Sequence, residues 1–247
     1  MKKILTMLAL CVVMAVGGEV VVFAAANTTY AFNELIQKYS QIAPQTKIKL
    51  SLGASGGLVT QIQNGAPADV FMAANMDFAH KLYESGFALK APVVYAQGAL
   101  AIFSIRDIKL NANLKGLEAT KSLSIANPDI APYGKASIEA LKNANEYDKL
   151  KDKIIITQKI SETLSQALSA ADVGFIAASA MYDEKMSKYK EGENFVLVDQ
   201  SLYTPIDQGI VLTKKGESNQ EAKAFYEFIL SDDAKEIFKK YGYNTPK

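Results

Sequence analysis

One histidine, His80, one cysteine, Cys11, and one arginine, Arg106, are the whole supply of three side chains that often catalyse reactions or clamp anions in this chain of 247 residues. His80 lies in NMDFAHKLYESG, where helical spacing sets it beside Asp77 and Glu84 on an outer, solvated face. With His80 on that face, no second histidine is left to serve a Ser-His-Asp triad or to complete a zinc site. The sequence also contains no H-E-x-x-H helix or Cys/His cluster. Carboxylate pairs such as Asp232-Asp233 fall in helical patterns that face water. No catalytic mechanism is assembled here, and the chemistry that remains is binding through neutral dipoles.

Four strand-to-helix junctions carry small or polar residues: AANTT at Ala25–Thr29, GASGG at Gly53–Gly57, APYG at Ala131–Gly134, and ISETL at Ile160–Leu164. Free N–H groups at helix starts favour anions, and in open α/β sheets ligands collect at the carboxyl ends of strands. Any single junction reads equally as an ordinary cap or turn; four that converge would make an anion cage without a cation. Arg106 sits in SIRDIKLNAN, away from all four, so the bidentate fork common to phosphate-ester and carboxylate sites is missing. A fully deprotonated oxyanion needs only donors, whereas hydrogen phosphate also gains from an acceptor carboxylate. Asn27 and Ser55 supply donors, Gly53, Gly56 and Gly57 let the backbone approach, and at the first three junctions the one aspartate is Asp129, two residues before Ala131.

These junctions must be held by strands and helices, and the hydrophobic periodicity supplies them. Strands are expected at 19–25, 47–52, 69–73, 99–104, 122–126, 153–157, 173–177, 195–198 and 209–212. Helices are expected at 28–42, 57–64, 75–85, 134–143, 162–170, 219–230 and 232–240. Asn75 is a plausible N-cap and Gly86 a stop. The alternation indicates an α/β protein with mainly parallel strands flanked by helices. No Gly-, Ser- or Pro-rich linker separates domains, so any passage between two lobes is short, at the strand-like segments Val93-Val94-Tyr95 and Tyr203-Thr204-Pro205.

A composition of 49% hydrophobic and 21% charged residues suits a globular chain rather than a disordered one. Met1-Lys2-Lys3 followed by the apolar run Ile4–Val16 and Gly17-Gly18 reads as a secretory signal peptide over residues 1–18, too short to span a bilayer stably. Cleavage after Ala26 would discard EVVVFAAA, and lipidation of Cys11 is an alternative that Leu10 fits poorly. Cleavage near Gly18 removes Lys2, Lys3 and the cysteine, turning the formal charge of +1 into −1 and leaving no disulfide. That balance points to neither nucleic acid nor an acidic membrane as partner.

The stretches VVVFAAANTT, LGASGGLVTQIQNGAPADVFMAAN and AFYEFILSDDAKEIFKKYGY together resemble the periplasmic molybdate-binding proteins of bacterial ABC importers, across essentially the whole exported chain. The resemblance implies a two-lobed periplasmic binding protein of type II fold, with the ligand cleft between the lobes. Lobe 1 is expected at 19–94 plus 204–247 and lobe 2 at 95–203. It further implies a monomer that binds molybdate or tungstate, needs no cofactor or metal-ion ligand, and delivers the anion to a membrane permease. By position, the family's two serine sites fall on Asn27 and Ser55, and its two backbone N–H donors on Tyr133 and Leu164. A tyrosine that many members place on the anion falls on Ala177, so that contact is lost. Together with ANPDIAPYGKAS and LYTPIDQGIVL, these departures match a second branch of the family, in which an asparagine and the IAPYG tyrosine amide take part. Receptors for sulfate, thiosulfate or phosphate, a secreted enzyme on the same fold, and a domain that binds only protein remain the alternatives.

Overall fold

Strand β1 (Glu19–Ala25) opens the part of the chain that the computed structural model describes, residues 18–246; the expected signal peptide, apart from Gly18, lies outside the described residues. EVVVFAA is rich in β-branched side chains and largely buried, the pattern of a central strand with helices on both sides. A 3-10 helix, Ala26–Thr28, leads into α1 (Thr29–Ile42), whose Ala31, Phe32, Leu35 and Tyr39 turn to the core. Then come β2 (Lys47–Gly53), α2 (Ser55–Gln63), β3 (Val70–Met72), α3 (Met76–Glu84), β4 (Val93–Gly98), β5 (Leu100–Phe103) and β6 (Leu123–Ala126). Next are α4 (Pro132–Asn143), the short α5 (Tyr147–Leu150), β7 (Ile154–Thr157), α6 (Ile160–Ser169), β8 (Val173–Ala177) and β9 (Phe195–Leu197). The chain ends with β10 (Ile206–Leu212), α7 (Gln220–Leu230) and α8 (Asp232–Lys240). Asn75 caps α3 by accepting the Phe78 N–H at 3.1 Å, and Gly86 stops the chain's helical course at φ +79°, both as expected.

The strands form two sheets, ordered β2-β1-β3-β10-β4 and β7-β6-β8-β5-β9. In each, one strand, β10 or β5, runs against the other four. Both faces of each sheet are covered. On the first, α1, α7 and α8 pack Phe32, Leu35, Phe225 and Phe238 over Val20 and Val22, while α2 and α3 pack Leu58 and Leu82 over Phe23 and Phe71. On the second, Tyr133 and Leu141 of α4 lie with Ile125 and Phe175, and Leu164 and Ala167 of α6 with Phe103 and Ile176. Each such side chain contributes about 1.5 to 3 kcal/mol by leaving water. Asp69, buried beside β3, accepts from the Val21 N–H at 2.8 Å and from Lys215 Nζ at 2.6 Å, so the base of the first sheet carries a paired charge.

The structure departs from the sequence reading at β4 and at the starts of three helices. Val93–Tyr95 is not a crossing segment but the start of β4, an edge strand that stays paired with β10 as far as Gly98↔Ile206. The chain leaves the first sheet at Gly98–Leu100, beyond the expected limit at residue 94, and returns through Tyr203–Ile206. Because Gly98 pairs with Ile206, the two passages lie side by side. Helices α2, α4 and α6 each begin two residues earlier than expected, at Ser55, Pro132 and Ile160. Those two residues decide which N–H groups are free.

Candidate functional site

The segments that follow β1, β2 and β3 in one lobe and β6 and β7 in the other line one small cavity. Its walls are Ala25–Asn27, Gly53–Ser55, Ala74, Ala131–Tyr133 and Ile160, and none of these residues carries a charge. Larger grooves, such as that of about 600 Å³ beside Glu34, Lys38, Asp233 and Lys240, are open and of mixed charge. Arg106 is exposed after β5. Among the described residues no group of three or more His, Cys, Asp or Glu is placed to hold a metal ion.

Three helices start at this cavity. The first amides of a helix have no partner within it, and the aligned peptides leave about half a positive charge there. In α2, Ser55 is the first residue, and its hydroxyl caps nothing in its own helix. Instead Ser55 Oγ accepts the Ala74 N–H at 2.9 Å, so the fully buried oxygen is fixed and its proton stays available to a ligand. In α4, Pro132 occupies the first position and has no N–H, which makes Tyr133 the first residue able to donate; the next amides turn back to the Ala131 carbonyl. In α6, the cap is Lys159, in extended conformation, and Ile160 presents the first amide.

Asn27, Ser55 and Tyr133 are thus brought together as expected, and Leu164 is not. In a helix that begins at Ile160, the Leu164 N–H points to the Ile160 carbonyl, and its side chain is buried with Phe103, Ile176 and Met181. Ile160 takes its place. The signal was present in the sequence: Glu162 sits three residues after Lys159, and its carboxylate reaches back to the Gln158 N–H at 3.0 Å, a variant of the capping box. Pro132 likewise marked the start of α4.

Asn27 differs from expectation in which atoms it offers. Its Nδ2 donates to Gln208 Oε1 at 3.0 Å and to Tyr243 Oη at 2.9 Å, leaving its Oδ1 as a buried acceptor without a partner. Its carbonyl accepts from Tyr243 Oη at 2.8 Å and from Ser179 Oγ at 3.0 Å. Ser179 follows Ala177 by two residues, so the end of β8 sends a hydroxyl across the cleft. Ser179, Gln208 and Tyr243 lie 152, 181 and 216 residues from Asn27 in the chain, and no local motif announces them.

The lobes are closed on each other. The Gly56 N–H donates to the Ile130 carbonyl at 2.9 Å, and a Cβ at Gly56 would lie 2.9 Å from the Phe78 ring and 3.0 Å from Ile130 Cα. Gly56 is therefore the glycine that this approach requires, whereas a Cβ at Gly57 would meet nothing within 4 Å. Lys135 and Asp77 also meet across the cleft at 3.3 Å, an exposed pair of small worth. The cavity measures about 10 Å³, about the room of one water, so a tetrahedral oxyanion requires the lobes to part slightly.

The buried phenols around the site are kept neutral by their burial. Burial raises Tyr95 and Tyr133 well above the ordinary 10.0 and raises Tyr243 strongly; burial and then Asp183 push Tyr30 up to about 12.

The model of the family described as bacterial extracellular solute-binding protein matches residues 20–244. The molybdate-binding protein ModA of Rhodobacter capsulatus is 34% identical over 234 residues, which cover 94% of this chain and 90% of that protein. ModA of Azotobacter vinelandii is 34% identical over 233 residues, covering 93% and 91%. Among solved structures, the periplasmic molybdate-binding protein of Azotobacter vinelandii superposes with a TM-score of 0.85 at 29% identity, covering 92% of this chain and all (100%) of that one.

Two outcomes are expected. Ile160→Pro deletes one N–H at the helix position that tolerates proline best, and should weaken oxyanion binding roughly ten-fold or more in calorimetric titration. Ile160→Val, which retains the N–H, measures the packing share of that loss. Because the folded phenols titrate above the unfolded ones, their stabilisation is fully present below about pH 10 and is lost as pH rises through the folded values. Urea unfolding should therefore show stability falling above about pH 10, with no tyrosine contribution to its pH dependence between about pH 7 and 9.

Proposed function

The chain belongs to the family of bacterial extracellular solute-binding proteins, and on that premise we propose that it captures molybdate outside the inner membrane and delivers it to the permease of an ABC transporter. It is a binding protein and not an enzyme. The observation that carries the reading is the uncharged cavity at the starts of α2, α4 and α6, where Ser55, Tyr133 and Ile160 offer donors and no wall residue is charged. A fully deprotonated tetrahedral dianion is the ligand that such a donor set suits, and it makes tungstate the expected second ligand. Each net bond to a charged group is worth about 1.5 to 3 kcal/mol, so on the order of six would reach submicromolar affinity after the cost of closure.

The ligand set we propose is the Asn27 backbone N–H, the Ser55 N–H and hydroxyl, and the Tyr133 and Ile160 N–H groups. The lobe limits we propose are 19–98 plus 204–247 and 99–203, following the passages at Gly98 and Pro205. A signal peptide over residues 1–18, a periplasmic location for the processed chain, a monomeric state and the absence of nucleic-acid binding complete the reading.

One observation favours a second ligand class. Asn27 Oδ1 is a buried acceptor without a partner on a residue of the cavity wall. An acceptor there suits a protonated oxyanion such as hydrogen phosphate.

Calorimetric titration of the processed protein with molybdate, tungstate, sulfate and phosphate separates these readings. Submicromolar binding of molybdate and tungstate, with sulfate and phosphate at least roughly a hundred-fold weaker, is the expected result. Tight phosphate binding without molybdate binding would overturn it.

A further inference from the structure

We infer that Gln208 is a positioning residue for the anion site, joining the donor-bearing segments of the two lobes through a single buried amide. The inference rests on the oxyanion-binding reading above. Gln208 is fully buried in β10 and does not line the cavity. It lies where the pairing register of β10 with β4 shifts, between Gln208 and Gly209; irregularities of this kind re-aim a side chain.

Its Oε1 accepts from Tyr95 Oη at 2.7 Å and from Asn27 Nδ2 at 3.0 Å, both in lobe 1. Its Nε2 donates to Tyr133 Oη at 3.2 Å, in lobe 2. Tyr133 therefore serves two ends: its N–H starts α4 at the cavity, while its ring runs back into the hinge. The ring fits only because Gly98 ends β4. A Cβ there would overlap the Tyr133 hydroxyl and lie 2.6 Å from Gln208 Nε2.

A buried amide is costly when its donors and acceptors lack partners. When the lobes part, Tyr133 moves with lobe 2, and Gln208 Nε2 loses its partner. Closure restores that bond and brings the Tyr133 N–H to the cavity in the same movement. The same amide holds the Asn27 side chain from the lobe 1 side. Gln208 thus ties ligand capture to closure without touching the ligand, and Gly98 provides the space for it.

The test uses molybdate with the processed wild-type protein, Gln208→Met, Tyr133→Phe and the double variant. Affinity is read by calorimetry, dissociation rate by stopped flow, and Tm without anion as a control for packing. Tyr133→Phe keeps the backbone N–H and the ring, so it remains informative if Gln208→Met folds poorly. Each single variant should bind about ten-fold more weakly, with the loss in the dissociation rate, and the double variant should be no weaker than either single one. Affinities within about two-fold of wild type, or losses that multiply in the double variant, would overturn the inference. If the wild-type protein binds no molybdate, the functional reading fails together with it; wild-type binding with unaffected variants overturns this inference alone.

Discussion

Taking a doubly charged oxyanion out of water costs on the order of tens of kcal/mol unless its oxygens regain donors. In this protein those donors have to come mainly from the backbone, because the cavity wall holds no charged side chain. Backbone N–H groups are free in number only at helix starts, so the helices must begin at the same point in space. That requirement accounts for much of the architecture: strands of two sheets end toward one cleft, small residues fill the turns, and glycine stands at position 56 where one backbone meets another. Preorganised dipoles of this kind need no counter-ion, and a lone exposed arginine is consistent with the rest of the design.

Closure rests on equally neutral contacts. Gly56 donates to Ile130, Ser179 donates to Asn27, and the Gln208 amide meets Tyr133, all across the cleft. The buried phenols around them stay protonated through the neutral range because burial disfavours their charged form. Exposed charges add little: the Lys135–Asp77 pair at the mouth is well solvated. Beyond the end of β8, Ser179 ties lobe 2 to the Asn27 carbonyl through one more neutral bond.

Much of this could be read along the chain, and the failures share a cause. Strands such as EVVVFAA, the Asn75 cap and the Gly86 stop follow from local preferences, and so did the alternation that specifies an α/β fold. Asn27, Ser55 and Tyr133 could be placed at one cavity because small and polar residues at strand ends mark junctions wherever they meet. Ile160 rather than Leu164 lines the cavity because the first free amide depends on where its helix begins, and that is set by Glu162 and the extended Lys159 rather than by hydrophobic spacing. Val93–Tyr95 reads as strand-like, but that β4 runs on to Gly98 at the edge of the first sheet is fixed by pairing with a strand more than a hundred residues later. Gln208 and Ser179 gave no signal at all: their roles exist only once distant elements are packed.

A crystal structure of the processed protein grown with tungstate, with the tungsten located by anomalous scattering, is the most direct test of a dianion held by neutral dipoles. The predicted result is tungsten between the starts of α2, α4 and α6. Its oxygens should lie about 3 Å from the Ser55, Tyr133 and Ile160 amides, with no lysine or arginine nitrogen in contact. Tungsten at another place, or paired with a cationic side chain, would contradict it.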